Sequence, residues 1–329
     1  MSIGEFSLIE RYFCGVGAAR SDVILGVGDD GAVLRPPIGC DLVAVSDTLV
    51  EGVHFPTDSL PESIGHRALA VNLSDIAAMG AIPAWAFLSL SLPIANESWV
   101  SAFMQGFQKL SIAHAVALVG GDTTRGPLNI GVQVMGFVPQ GQGLRRSGAQ
   151  PGDYLCVSGT PGDAAAGLAL LQVQNSTSEH SSFPYYNAPE NSLLNRFLFP
   201  TPRLALGLHL REFASACIDI SDGLLGDATK LMDASNCAAE IDLDLLPYSP
   251  ALKNLFSAEQ ALDYMLTGGD DYELVFSISP ARFDSLRALE EDVPLRKIGM
   301  LQVGSGVTLK KGGLPFIFKH IGFDHFKKN

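Results

Sequence analysis

Short apolar runs alternate with amphipathic stretches along the whole chain. "LVAVSDTLV" (42–50) reads as a strand with a polar end, while "AWAFLSLSLP" (84–93) and "NIGVQVMGFV" (129–138) alternate with a strand's period of two. "PESIGHRALAVNLSDIAAMG" (61–80) spaces its apolar residues helically, with Pro61 suited to a first turn and Gly80 to a stop. Asn96 suits the N-cap of a second helix that runs to about His114. "VALVGGDTT" (116–124) is a short apolar strand breaking into Gly-Gly-Asp.

The turn-rich "GAQPGDYL" (148–155) marks a boundary near residue 150, which predicts domains over 1–150 and 151–329. Beyond it the mixture resumes. "YLCVSG" reads as a strand and "PGDAAAGLALLQ" starts a helix; "CIDISDGLLGDATKLMDA" passes from strand to helix, and "YELVFSIS" and "RKIGML" are further strands. The polar stretch 174–192 reads as a mobile surface loop. There is no short-period repeat. The expected fold class is α/β with an α+β-like character, in two mixed sheet-and-helix domains.

Composition narrows the function classes. A 329-residue chain that is 47% apolar suits a globular enzyme. Its formal net charge of −13 lacks the basic footprint of a nucleic-acid binder. Phosphorylated ligands stay open, because metal ions reverse the local sign of an acidic site. The five cysteines, Cys14, Cys40, Cys156, Cys217 and Cys237, form no CxxC pair and read as thiols of a reducing compartment. "MSIGEFSLIERYF" lacks a basic segment followed by an apolar one, so no signal peptide is expected. No apolar run reaches membrane-spanning length, so no membrane partner is expected and a cytoplasmic location follows.

The candidate chemistry lies in acidic turns. "GVGDDGAVL" holds Asp29 and Asp30, "VSDTLVEGVHF" holds Asp47 and His54, and "NLSDIAAMG" places Asp75 three residues after Asn72. "VGGDTTRG" holds Asp122, "DISDGL" holds Asp219 and Asp222, and "TGGDDYELVF" holds Asp270, Asp271 and Glu273. Most follow apolar strands, where open α/β sheets place ligands. One Asp-Gly pair is an ordinary turn former, but so many after apolar runs exceed the needs of punctuation. Mg²⁺ prefers carboxylate oxygens and binds together with substrate phosphates. The neighbouring Asp270 and Asp271 repel unless water, a cation or a cationic partner stabilises them. Arg125, Arg145 and Arg146 are the nearest basic residues, and their fork geometry suits phosphate. There is no GxxxxGK[ST], HExxH or GxSxG, and "DLDLLP" (242–247) lacks the marks of an EF-hand.

These motifs, together with "GEFSLIERYF", "RRSGAQPGD", "GTPGDAAAGL" and the closing "GFDHF", resemble bacterial thiamine-monophosphate kinases nearly end to end. That family belongs with aminoimidazole ribonucleotide synthetase and selenophosphate synthetase. The resemblance implies transfer of the γ-phosphoryl group of ATP to thiamine monophosphate with several Mg²⁺ ions. It implies a homodimer formed through N-terminal-domain strands, and a C-terminal domain that completes the nucleotide and substrate site. It implies Asp30, Ser46, Asp47, Asp75, Asp122, Asp219 and Asp222 as metal ligands, with metal-held Asp47, Asp75 and Asp122 favoured for catalysis. Gly121, Asp122, Arg146 and Ser221 would touch ATP, and His54, Asp270 and Phe323 would line the thiamine phosphate pocket. Two positions depart from the family pattern: Asp270 stands where Glu is usual, and Phe323 where Tyr or Trp is common. The alternatives are a related ATP-dependent enzyme with another acceptor, or a non-enzymatic acidic metal-binding protein.

Overall fold

A computed structural model describes residues 4–176, 189–289 and 293–318. The chain divides into two compact units, one of residues 1–77 and 81–143, the other of 78–80 and 144–329.

The first unit runs α1 (Glu5–Tyr12), β1 (Val23–Leu25), β2 (Val33–Leu34), β3 (Cys40–Val50), α2 (Pro61–Ala78), β4 (Ile82–Leu92), α3 (Glu97–Ala113), β5 (Ala117–Arg125) and β6 (Asn129–Pro139). β1 and β2 form a small antiparallel ribbon. The main sheet has the order β3-β6-β4-β5, antiparallel except where α3 carries the chain from β4 into parallel β5. Asn96 caps α3 as expected, its side chain accepting from the amides of Ser98 and Trp99. α2 is buried along most of its length because α3 crosses it at backbone distance. A Cβ on Gly65 would lie 1.9 Å from the Phe103 carbonyl oxygen, and one on Gly106 would lie 1.9 Å from that of Glu62. Trp85 and Phe137 pack edge-to-face at 5.0 Å within the sheet core.

The second unit runs β7 (Tyr154–Ser158), α4 (Asp163–Ser176), α5 (Pro189–Leu198), α6 (Leu204–Phe213), β8 (Ala214–Asp219), α7 (Leu224–Ser235), β9 (Ala238–Asp242), α8 (Pro250–Leu255), α9 (Ala258–Thr267), β10 (Leu274–Ile278), α10 (Pro280–Leu289), β11 (Leu295–Gln302), β12 (Gly306–Lys311) and β13 (Leu314–Phe316). Its sheet has the order β13-β12-β9-β11-β7-β10-β8. All pairs are antiparallel except β12 with β9. β10 lies between β7 and β8, and each of its five residues is buried. α7 and α9 pack apolar faces into the core beside it, Leu224, Leu231 and Met232 from one, Leu262 and Met265 from the other. α9 carries a reciprocal capping box between Ser257 and Gln260. The loop expected over 174–192 is corrected at both ends, where α4 continues through Ser176 and α5 begins at Pro189; its middle, 177–188, lies outside the described residues. Pro189 is a first-turn residue whose missing N–H costs a helix nothing.

Candidate active site

In the first unit, β3 turns Val43, Val45, Asp47 and Leu49 toward one side, with Val43 and Leu49 buried. Asp47 thereby reaches Asp75 on α2, and the two carboxyl groups meet within hydrogen-bonding reach. Burial lifts Asp47 above the usual aspartate range, and the hydrogen bond from Asp75 offsets part of that rise. Two carboxyls in contact must share a proton or a cation. One helical turn before Asp75, Asn72 is fully buried. Its amide donates to the Ala68 carbonyl at 3.1 Å, and its Oδ1 has no hydrogen-bond partner among the described residues. This oxygen-rich donor set fits a hard divalent cation such as Mg²⁺.

The other predicted residues of this unit lie apart. Thr48, Gly131, Ser89 and Asp122 form one row across the four strands, so Asp122 sits on the edge opposite β3. Three strand spacings put its backbone about 14 Å from that of β3. Asp30 lies in an exposed turn where its amide donates to Asp29 Oδ1 at 2.8 Å. Among the described residues no three His, Cys, Asp or Glu side chains converge to metal-ligating distance. Ser46 is exposed beside Asp47 and pairs with Gln133 of β6. Gly121 has a φ of 149°, and a Cβ there would fall 1.8 Å from the Leu88 carbonyl oxygen. That strand contact, independent of any ligand, requires glycine. Gly121 and Asp122 border a cavity of about 40 Å³ that Ile9, Phe13, Val27, Leu88 and Leu118 make mostly apolar. In the turn after β3, the Val50 amide donates to His54 Nδ1 at 2.9 Å. The neutral ring then carries its proton on Nε2, a donor suited to an anionic oxygen.

In the second unit, the exit of β8 and the entry to β10 are held side by side, with Leu274 opposite Asp219. The Asp270 amide donates to the Ser221 carbonyl at 3.0 Å and the Tyr272 amide to the Ile220 carbonyl at 2.9 Å. Asp219, Ser221, Asp222 and Asp270 are thus gathered at one end of the sheet. Asp222 bonds Lys230 Nζ at 2.5 Å, and the same ammonium bonds Asp227 at 2.8 Å. Arg146 is exposed, and its carbonyl accepts from Ser235 Oγ at 2.9 Å. Phe323 lies outside the described residues.

The comparisons with known proteins agree along the chain. The AIR synthase related protein N-terminal domain matches residues 28–138, and its C-terminal domain matches 150–311. The thiamine-monophosphate kinase of Salmonella typhimurium is 45% identical over 99% of both chains. The chain belongs to the thiamine-monophosphate kinase family. Among solved structures, the thiamine-monophosphate kinase of Stenotrophomonas maltophilia K279a superposes with a TM-score of 0.85 at 48% identity, covering 95% of this chain and 98% of that one. AaThiL complexed with AMPPCP and TMP superposes with a TM-score of 0.77 at 33% identity, covering 89% of each chain. This establishes the mixed two-domain architecture of the family and an enzyme of the thiamine-monophosphate kinase class.

For this kinase-family chain, sequence reasoning missed the groups that hold the "GGDDYEL" loop. Asp271 is fully buried and accepts from the Gly162 and Ala164 amides, at 2.6 and 3.1 Å, where α4 begins. Burial pushes its carboxyl up to about 8, against those amides and Arg196. Glu273 is also fully buried. Arg196 Nη2 bonds it at 2.8 Å, Arg203 Nε at 2.7 Å and Ser158 Oγ at 2.5 Å, with a further contact from Arg203 Nη2. Burial would raise Glu273, but the two guanidinium groups hold it below the usual glutamate value. Asp227, nearly fully buried, accepts from the Ser221 and Asp222 amides at 3.0 and 2.9 Å. One signal was available: a glutamate directly before the apolar run "LVFSIS" places a carboxylate at the entry to a buried strand, which demands a cationic partner.

Proposed function

We propose that the chain transfers the γ-phosphoryl group of ATP directly to thiamine monophosphate, in line, giving thiamine diphosphate and ADP. The full-length likeness to the Salmonella typhimurium thiamine-monophosphate kinase, at 45% identity, carries the reading. The contact of Asp47 with Asp75 supports it, because a carboxyl pair of this kind invites a cation. In the first unit, Asp30, Ser46, Asp47, Asp75 and Asp122 would hold Mg²⁺; in the second, Asp219 and Asp222 would do so. When bound, Mg²⁺ supplies charge neutralisation between two anionic reactants.

The chain's own groups do the rest. An acceptor monophosphate, with a second pKa near 6, is already largely ionised at neutral pH, so no general base is needed. Gly121, Asp122, Arg146 and Ser221 would bind ATP. His54 would donate its Nε2 proton as a hydrogen bond to the acceptor phosphate. Asp270 and the ring of Phe323 would face the cationic thiazolium. The exposed apolar residues Ile24, Leu25, Val33 and Leu42, on the strands β1 to β3, support a homodimer formed through that unit. Among the described residues no helix is long and apolar enough to cross a membrane; we place the enzyme in the cytoplasm.

The test is one assay with ATP and Mg²⁺, run with and without thiamine monophosphate, with the product isolated. Acceptor-dependent ADP release and recovery of thiamine diphosphate are expected. ADP release with a different acceptor would assign another member of the superfamily, and no turnover with any acceptor would leave a metal-binding protein.

A further inference from the structure

Asp270 stands on an unusual stretch of backbone. It has a φ of 71° and Tyr272 a φ of 52°, left-handed conformations that cost a residue with a Cβ. Such strain persists only where the surroundings over-determine it, and here they do. Between the two strained residues, Asp271 is locked onto the amides at the start of α4. Immediately after them, Glu273 is clamped by Arg196 and Arg203. The amides of Asp270 and Tyr272 are both bonded to the β8 exit segment. The backbone therefore reaches Asp270 in one fixed arrangement.

From that frame, the Tyr272 hydroxyl donates to Asp270 Oδ1 at 3.0 Å. Tyr272 is 7% exposed, so its ring is held in place by packing, whereas Asp270 is only half-buried. A rigid donor thus meets a half-buried carboxylate on the loop whose amide is bonded to the Ser221 carbonyl. We propose that Tyr272 is a positioning residue for substrate recognition: its hydroxyl fixes the rotamer of Asp270 and turns that carboxylate toward the thiazolium ring of thiamine monophosphate. The inference rests on the proposed substrate, whose cationic ring the oriented carboxylate would face.

The test measures thiamine monophosphate and ATP-analogue affinity by calorimetry for the wild type, Tyr272→Phe, Asp270→Asn and the double variant. Tyr272→Phe keeps the ring and its packing, so its melting temperature should stay at the wild-type value. Its affinity for thiamine monophosphate should fall about fivefold, the worth of one hydrogen bond, with ATP-analogue affinity unmoved. In the Asp270→Asn background the same change should have no further effect, because the group it orients is gone. An unchanged affinity in Tyr272→Phe overturns the inference. So does an equal loss in both backgrounds, and so does a fall in melting temperature with parallel loss of both ligands. A wild type that binds the ATP analogue but not thiamine monophosphate removes the substrate reading and this inference with it; a wild type that binds both, beside an indifferent Tyr272→Phe, removes this inference alone.

Discussion

Glu273 and Asp47 are both carboxylates drawn out of water, yet their surroundings differ in sign. Glu273, buried where β10 begins, meets Arg196, Arg203 and Ser158. Asp271 and Asp227 nearby are likewise met by backbone amides, and Asp227 by Lys230 as well. In the first unit Asp22 is treated the same way, with Arg20 bonding it at 2.9 and 2.6 Å and the Trp85 indole at 3.1 Å. Asp47 instead meets the carboxyl of Asp75. An acid the chain neutralises with its own donors serves the fold. An acid set against another acid leaves its charge to be balanced from outside, and such a site is open to a ligand.

The sharpest way to break this contrast is Asp47→Asn, which keeps the shape and removes the charge. Turnover is expected to fall about a thousandfold or more, roughly 4 kcal/mol of lost transition-state stabilisation. In the metal-free protein the same change should raise the melting temperature by about 2–4 °C. The sign follows from Asp47 lying above its ordinary value of 3.8 in the folded state. Its contribution to stability is present below that value and lost as pH rises through the folded pKa. The gain from Asn should therefore be larger at pH 8 than at pH 4. A lower melting temperature at pH 8 would return Asp47 to the acids that serve the fold.

Glu273→Ala should act in the opposite direction. It strands two guanidinium groups beside a buried strand, and about 3–5 kcal/mol of stability should be lost, read by urea unfolding. In the wild type, Glu273 is held below its ordinary value of 4.5. Its contribution is therefore full above about pH 4.5 and is lost as pH falls through the lower folded value. Glu273→Ala should accordingly flatten the acid limb of the stability profile. Wild-type urea stability in this variant would dissolve the distinction between the two kinds of acid.

How much of this was legible beforehand follows the same division. The helices and strands of the first unit stood out because their periodicity is local: α2, α3, β4 and β6 are each continuous patterns with their own caps or alternation. The nearness of Asp75 to Asn72 was readable from helical spacing, but its contact with Asp47 depends on how α2 packs on the sheet. Arg196 and Arg203 lie 77 and 70 residues from Glu273 in the chain, and no local pattern joins them. Gly121 stands in the sequence as an ATP contact by resemblance alone, and the close approach of Leu88 on the next strand, which requires glycine there, has no local signal. Separation in sequence, more than weakness of signal, hid the structural acids.

Gly65→Ala tests whether the Asp47–Asp75 pair depends on the helix crossing behind it. The added methyl would meet the Phe103 carbonyl oxygen at 1.9 Å, so α2 must shift away from α3. A loss of about 1–3 kcal/mol is expected from overpacking, with turnover falling alongside because Asp75 moves with its helix. Full turnover despite the stability loss would show that the acid pair tolerates displacement.

Lys230→Met carries the smallest expected effect and sharpens the contrast most, because Lys230 touches one acid of each kind. Asp227 is nearly fully buried and keeps two amide donors without the lysine, so its loss of one partner should cost about 1 kcal/mol. The side chain of Asp222 is 36% exposed and is a proposed metal ligand that Lys230 now occupies. Burial would lower the Lys230 pKa, but Asp222 and Asp227 together hold it above its ordinary value, so the lysine is a cation throughout the working range. If Asp222 belongs with Asp47 and Asp75, removing this competing cation should lower the Mg²⁺ concentration for half-maximal turnover by about threefold, a shift of roughly 0.6 kcal/mol. A rise in that concentration would show that Lys230 holds Asp222 in its working position, and would move Asp222 to the side of the acids whose charge the chain itself completes.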